Sequence, residues 1–160
     1  MAKRKNREAI FIKEIVRPFF EKQIGPNGIC HKLQDAHVGE SWNVQNPKPA
    51  DLMLMWLPGT KIDLPRDACV CLRYRYYESG FGLVEAKAKT GLTISIDDLS
   101  QSQINALSKA AKCGHMSLIA VQFEAKATKK LSAVKFHKYI EYRELEQAGS
   151  ISFNRDGSVQ

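Results

Sequence analysis

The chain has 160 residues, of which 44% are hydrophobic and 26% are charged. This length suffices to bury one sizeable core and is short for two full domains, so we expect a single α/β domain over residues 1–160. Lysine and arginine number 24 against 17 acidic residues, and the net charge of +7 favours polyanionic partners such as nucleic acid. The chain lacks an apolar run of roughly 18 residues and the apolar stretch of a signal peptide, which predicts a cytoplasmic protein without membrane contact.

The first predicted element is an amphipathic helix near the N-terminus. Its apolar residues recur in pairs four positions apart, as on one face of a helix: Phe11, Ile12, Ile15, Val16, Phe19 and Phe20. Pro18 has no N–H to donate to the carbonyl of Glu14, which predicts either a kink or a second helical segment that begins near Pro18. The turn sequence IGPNG then ends the helix.

Three core strands are predicted next, together with one additional strand that pairs with the third. The first is GICHKL, and the second, after a polar loop, is PADLMLMWLP. The second strand carries apolar side chains on both faces, which is typical of a central strand covered by helices. The segments ACVCLRYRYY and GFGLVEAKAK are predicted to form an antiparallel hairpin around residues 78–80.

The rest of the chain predicts a helix, a strand and a last helix. The helix is DDLSQSQINALSKAAKCG, with Gly114 as its C-terminal stop. The strand is MSLIAVQFE, and the last helix is HKYIEYRELEQAG, within a C-terminal segment of residues 134–160. The four cysteines, Cys30, Cys69, Cys71 and Cys113, lack C-x-x-C spacing and are predicted to be core thiols in a reducing compartment.

Two acidic residues and a lysine stand at positions suited to metal chemistry. Asp51 opens the second strand, and Glu85 and Lys87 share one face of the third because side chains alternate along a strand. If these strands are neighbours, the two carboxylates can converge on one hard cation, and Lys87 can orient a water or stabilise charge on phosphate. The alternative is a solvent-facing pair on an edge strand. An acid that opens a buried strand favours the first interpretation, because an unpaired buried charge is expensive.

The ordered set PADLML, GLVEAK, LSQSQINAL and GHMSLIAVQFE resembles the PD-(D/E)XK nuclease superfamily, most closely its Holliday junction resolvase branch of archaeal, Gram-positive bacterial and phage enzymes. The resemblance covers about residues 9–124 and implies a restriction-endonuclease-like αβββαβ core, with a central mixed β-sheet flanked by helices. It also implies a Mg²⁺-dependent DNA endonuclease of recombination and repair, for which Mn²⁺ can substitute. Such an enzyme would act as a homodimer on four-way DNA junctions in a bacterial, archaeal or phage-infected cell.

The resemblance assigns roles by position. Asp51 and Glu85 would be metal ligands, with the Ala86 carbonyl as a third ligand, and Lys87 would be the catalytic lysine. Gln103 would point into the site from the second helix.

Two assignments, the role of Gln103 and the identity of an acid on the first helix, have alternatives. The spacing of Ser100 and Gln103 also fits a capping box, in which the glutamine only caps the helix. The resemblance further implies an acid on the first helix near the metal. Glu14 fits the spacing to HKLQD better than Glu8, which is the second choice.

The sequence also departs from the family pattern. Lys32 stands where the family has an arginine, so it can contact a phosphate only without the bidentate fork. In the same HKLQD segment, Asp35 falls where related sequences carry an aspartate. Between Asp51 and Glu85 lie 33 residues, about twice the spacing that the resemblance implies, which indicates an insertion over about residues 57–79.

Three further basic residues are candidates for DNA contact. Within the insertion, Arg73 and Arg75 alternate with tyrosines, and this combination can contact phosphate and stack on unpaired bases. A half-exposed strand rich in β-forming residues explains the same pattern equally well. Lys89 shares the strand face of Glu85 and either touches phosphate or meets only water.

Two other functions are compatible with the sequence. One is a PD-(D/E)XK nuclease of phage or restriction type that acts on duplex, flap or end substrates. The other is a non-catalytic DNA-binding module on a nuclease fold, which the intact set of Asp51, Glu85 and Lys87 disfavours.

Overall fold

The computed structural model describes residues 2–34, 48–70 and 80–160. Within them the chain forms one α/β domain with a six-stranded sheet and a two-stranded sheet. The helices are α1 (Ala2–Phe11), α2 (Arg17–Ile24), α3 (Gln101–Lys112) and α4 (Tyr142–Ala148). The strands are β1 (Gly28–Lys32), β2 (Leu52–Trp56), β3 (Cys69–Val70), β4 (Phe81–Thr90), β5 (Thr93–Ser95), β6 (Met116–Ala125), β7 (Val134–Glu141) and β8 (Ser150–Ser152).

The large sheet is mixed, with the strand order β1-β2-β4-β6-β7-β3. Strands β1, β2 and β4 are antiparallel neighbours, whereas β6 runs parallel to β4 and antiparallel to β7. Helix α3 lies between β4 and β6 in the chain, as expected because parallel neighbours need a crossover connection. The predicted succession of helix, three strands, helix and strand corresponds to the α1–α2 segment, β1, β2, β4, α3 and β6.

The N-terminal helical segment is continuous but distorted in its middle. A π-helical turn over Ile12–Val16 joins α1 to α2. Pro18 lies in the first turn of α2, directly after the π-helical turn. A second helical segment beginning near Pro18, one of the two predicted outcomes, is therefore confirmed.

Helices cover both faces of the sheet and divide the core into two layers. Val84 and Ala86 of β4 belong to the layer under α1 and α2, whereas Leu83 belongs to the layer under α3 and α4. Because side chains alternate along a strand, Glu85 and Lys87 share the face of Leu83. The two charged side chains therefore point towards the α3 side of the sheet.

The prediction of a last helix over residues 137–149 is wrong in its first half. Residues 134–141 form β7, and only Tyr142–Ala148 are helical. Tyr139 and Ile140 are both fully buried, one in each core layer. Such adjacent apolar residues occur in a strand covered on both faces and in a buried helix alike, so periodicity does not separate the two. Pairing with β6 and β3 decided for the strand.

The predicted hairpin between the third strand and its predecessor is also wrong where the structure describes it. Cys69 and Val70 form β3, which pairs in parallel with β7. Strand β4 has β2 on one edge and β6 on the other over residues 82–84, so neither edge is left for β3 there. Residues 71–79, the remainder of the predicted partner strand, lie outside the described residues.

One expectation about the region around β2 needs correction. Leu52, Leu54 and Trp56 are buried, but Met55 on the other face is 45% exposed, so β2 is not covered on both faces along its length. In the predicted insertion, Ile62 and Leu64 are fully buried in the layer under α1 and α2. This part of residues 57–79 therefore contributes to the core.

No disulfide joins Cys30, Cys69 and Cys113, the cysteines within the described residues, and their burial differs. Cys30 and Cys69 are half-buried against the layer under α1 and α2, whereas Cys113 is exposed, so the core-thiol prediction is wrong for Cys113. Burial, followed by the charge of Glu21, raises the pKa of the Cys30 thiol to about 11, which keeps it protonated and unreactive. Cys71 lies outside the described residues.

None of the helices formed by residues 2–34, 48–70 and 80–160 has the length and apolar character needed to cross a membrane. The longest of them, α3, has 12 residues.

Candidate active site

The candidate site lies where β4 continues beyond the N-terminal end of β2. The last paired residues of the two strands are Leu52 and Val84, but β4 runs on to Thr90. Backbone amides of alternate strand residues point to the same side, so the amides of Ala86 and Ala88 point past the end of β2. We call this side of β4, beyond Val84, the open edge, because no described strand pairs with it.

Asp51 lies at the open edge, immediately before β2. Its Oδ2 accepts a hydrogen bond of 2.9 Å from the amide of Ala86, and its own amide donates to the carbonyl of Val84 at 3.1 Å. Only 6% of Asp51 is exposed. Because the N–H and C=O of a strand residue point to the same side, the Ala86 carbonyl also faces the open edge, as its expected role as a ligand requires.

The second carboxylate at the open edge belongs to Glu8 on α1. Its Oε1 accepts a hydrogen bond of 3.3 Å from the amide of Ala88. Glu14, the preferred candidate from sequence spacing, is exposed and lies on the side of the helical segment opposite to the buried Ile12 and Val16. Glu8 therefore replaces Glu14 as the helix acid near the site.

Glu85 is the most buried charged residue of the site, with 2% of its surface exposed. One carboxylate oxygen, Oε1, accepts a hydrogen bond of 2.6 Å from Gln103 Nε2 and lies 3.0 Å from Lys87 Nζ. The other oxygen, Oε2, is buried and has no hydrogen-bond partner among the residues that the structure describes. A buried carboxylate oxygen without a donor is costly, so Oε2 is suited to receive a cation.

Gln103 serves both purposes that the sequence left as alternatives. Its backbone amide donates to Ser100 Oγ and its Oε1 accepts from the Ser100 amide at 2.9 Å, which completes a capping box at the start of α3. The same Oε1 lies 3.4 Å from Lys87 Nζ, while Nε2 donates to Glu85. The cap thus fixes the side chain that orients the glutamate and the lysine.

The electrostatics of the site favour an added cation. Burial, followed by the negative charge of Asp51, raises the pKa of Glu85 from 4.5 to about 7, while the charges of Lys87 and then Lys48 act in the opposite direction. The two carboxylates are therefore close enough to oppose each other's ionisation. A divalent cation between them would remove that repulsion.

The donor set fits a hard divalent cation. Two carboxylates and one backbone carbonyl are oxygen ligands of the kind that Mg²⁺ prefers, with water completing its shell. Within the described part of the chain, no group of three or more histidine, cysteine, aspartate or glutamate side chains could hold a metal ion. The candidate ligand set in that part of the chain is therefore limited to the two carboxylates and the backbone carbonyl.

Lys48 is a site residue that sequence reasoning missed. Its Nζ lies 2.7 Å from Asp51 Oδ1, the oxygen that does not contact the Ala86 amide. The signal in the sequence was the segment KPAD, which places a lysine three residues before the aspartate. The proline between them prevents this segment from being a helix interior, so the spacing did not suggest a contact.

The residues predicted to contact DNA are dispersed. Lys32 is exposed at the end of β1, on the strand face of Cys30, whereas Glu85 points to the opposite face of the sheet. Lys89 forms an ion pair with Asp98, so its charge is already compensated within the protein. Arg73 and Arg75 lie outside the described residues, as does Asp35.

Comparisons of the chain with protein-family models, with curated proteins and with solved structures find no match. The functional inference therefore depends on the geometry of the site and on the sequence motifs.

Proposed function

We propose that this protein is a Mg²⁺-dependent endodeoxyribonuclease that hydrolyses phosphodiester bonds, and that it resolves four-way DNA junctions as a homodimer. The observation that carries the proposal is that Asp51, immediately before β2, accepts from the Ala86 amide beside Glu85 on β4, while Lys87 and Gln103 contact one oxygen of Glu85. The net charge of +7 supports a polyanionic substrate.

Each residue of the site has a distinct task in this proposal. Asp51, Glu85 and the Ala86 carbonyl would hold the ion, which supplies Lewis-acid polarisation of a phosphoryl oxygen. Lys87 places an ammonium beside these ligands, where it stabilises the negative charge that develops on the phosphate or orients the attacking water. Gln103 holds both Glu85 and Lys87 in position through its amide group.

The class of nuclease is supported by the order of the elements. A helical segment, the three antiparallel neighbours β1, β2 and β4, helix α3 and the parallel strand β6 occur in this order, with the short strands β3 and β5 between them. This order is compatible with the αβββαβ core that the PD-(D/E)XK resemblance implies. The preference for four-way junctions rests on the resemblance. A two-fold symmetric dimer would present two equivalent sites to two opposing strands.

The test compares cleavage of a synthetic four-way junction with cleavage of linear duplex of the same sequence, each with Mg²⁺ and with EDTA. We expect Mg²⁺-dependent nicking of the junction and much slower cleavage of the duplex. Equal cleavage of both substrates would support the duplex, flap or end nuclease instead. Binding without any product in Mg²⁺ or Mn²⁺ would identify a non-catalytic DNA-binding module.

Two variants test the assigned residues. Asp51→Asn and Lys87→Ala should retain junction binding and reduce cleavage by about 10²-fold or more, the usual size of such contributions. Lys135→Ala is a matched control, because it removes one exposed lysine that pairs with Glu124 away from the catalytic carboxylates. Undiminished cleavage by either site variant would show that the site is misassigned.

A further inference from the structure

The ion pair between Lys48 and Asp51 occupies Oδ1, the carboxylate oxygen that the β4 backbone does not contact. Asp51 Oδ2 accepts from the Ala86 amide, and Lys48 Nζ lies 2.7 Å from Oδ1. Both oxygens of Asp51 are therefore engaged in the structure. The backbone amide holds Oδ2, so Oδ1 is the oxygen of Asp51 that no backbone donor occupies, and a cation bound to Oδ1 would share it with Lys48 or displace the lysine.

The two lysines of the site differ in what they leave accessible. Of the two carboxylate oxygens of Glu85, Lys87 contacts Oε1, and Oε2 has no described partner. Lys48 instead contacts Oδ1 of Asp51, while Oδ2 accepts a hydrogen bond from the backbone of β4. Lys48, and not Lys87, is thus the lysine that would compete with a cation for the remaining carboxylate oxygen of its partner.

Burial makes such a counter-charge necessary. Asp51 is 6% exposed and Glu85 is 2% exposed, and two buried carboxylates at one edge need positive charge to remain ionised. The side chain of Lys48 is 22% exposed, so its ammonium can withdraw towards solvent more readily than the carboxylates can. The charge of Lys48 also acts on Glu85, which places it within electrostatic range of both acids.

We propose that Lys48 is a built-in counter-ion that holds Asp51 in the metal-free protein and that an incoming divalent cation displaces from Oδ1. The inference rests on the proposed function, because it requires a cation at Asp51 and Glu85. Lys48 is three residues from Asp51, and Pro49 stiffens the connection. After displacement its ammonium consequently stays near the site, where a phosphate of the substrate is its natural partner.

The test measures metal affinity in wild type and three variants of the protein. Mg²⁺ and Mn²⁺ binding is titrated by calorimetry for wild type, Lys48→Met and Lys48→Arg, with Lys135→Met as the control for loss of one surface charge. Lys48→Met keeps the length of the side chain and removes the charge. Lys48→Arg keeps the charge and offers a bidentate fork to the carboxylate.

We expect Lys48→Met to bind Mg²⁺ about tenfold more tightly than wild type, a change that corresponds to about 1.4 kcal/mol. Lys48→Arg should bind no more tightly than wild type, and Lys135→Met should match wild type. In EDTA, Lys48→Met should unfold at a lower temperature than wild type, and Mg²⁺ should raise its midpoint by a larger amount. This pattern separates a displaced counter-ion from an ion pair that only stabilises the fold.

Two results would overturn the proposal in different ways. Unchanged or weaker Mg²⁺ binding by a folded Lys48→Met variant would show that Lys48 does not compete for Asp51, while the metal site itself would stand. Absence of Mg²⁺ and Mn²⁺ binding in all forms would remove the metal site and the proposed function with it. If Lys48→Met does not fold, tighter binding by Lys48→Arg than by wild type would equally refute the competition.

Discussion

Replacement of Glu85 by glutamine removes a carboxyl group whose ionisation the fold opposes. Burial is the main cause that raises the pKa of Glu85 from 4.5 to about 7, and the negative charge of Asp51 is the second. The folded protein therefore binds this proton more tightly than the unfolded chain does. The stability that Glu85 contributes is complete below about pH 4.5 and is lost as the pH rises through about 7.

The magnitude follows from the two pKa values. The difference between 4.5 and about 7 is about 2.5 pH units, which at about 1.4 kcal/mol per unit gives about 3 kcal/mol. That is a large part of the roughly 5–15 kcal/mol that holds a typical domain folded. The variant Glu85→Gln has nearly the same volume and no charge. Relative to wild type, its free energy of unfolding should rise by about 3 kcal/mol between pH 4.5 and pH 8.

Urea unfolding of wild type and Glu85→Gln from pH 4.5 to pH 8, in EDTA, measures this difference. The two proteins share every other titrating group, so the change in the difference isolates Glu85. A difference that does not vary with pH would refute the reasoning, because Glu85 would then ionise in the fold as it does in the unfolded chain. Mg²⁺ added at pH 8 should stabilise wild type more than the variant if the ion occupies the proposed site.

Two further pairs of variants test the remaining contacts. Glu8→Ala should destabilise the protein by about 1 kcal/mol, because the amide of Ala88 loses its acceptor, whereas Glu14→Ala at an exposed position should stay within about 0.5 kcal/mol of wild type. Equal effects in urea unfolding would contradict the placement of the helix acid. Ser100→Ala should lower stability by about 1 kcal/mol through loss of the hydroxyl cap and leave nicking of a junction intact, because the Ser100 backbone amide still donates to Gln103 Oε1. Gln103→Ala should lower both stability and nicking, and an undiminished nicking rate would reduce its role to capping.

Local patterns in the sequence determined the elements that build the centre of the fold. The paired apolar residues around Phe11 predicted the N-terminal helical segment. The existence of α3 was predicted as well, but with a start at Asp97, whereas the helix begins at Gln101 behind the Ser100 cap. The alternation along β4 placed Glu85 and Lys87 on one face, as observed in their ion pair. These features depend on residues a few positions apart, so periodicity and capping rules suffice to find them.

The tertiary structure alone decided which distant groups meet. The pairing of β4 with both β2 and β6 excluded β3 from its edges, and pairing with β6 made residues 134–141 a strand. The open edge exists because β4 extends beyond the first residue of β2. The β4 amides that no described strand pairs with there, those of Ala86 and Ala88, donate to the side chains of Asp51 and Glu8. No local pattern contains the relative lengths of two paired strands. The sequence therefore predicted Asp51 and Glu85 as partners, but it missed Lys48 and favoured Glu14 over Glu8. The contacts of Lys48 and Glu8 depend on where β2 begins relative to β4.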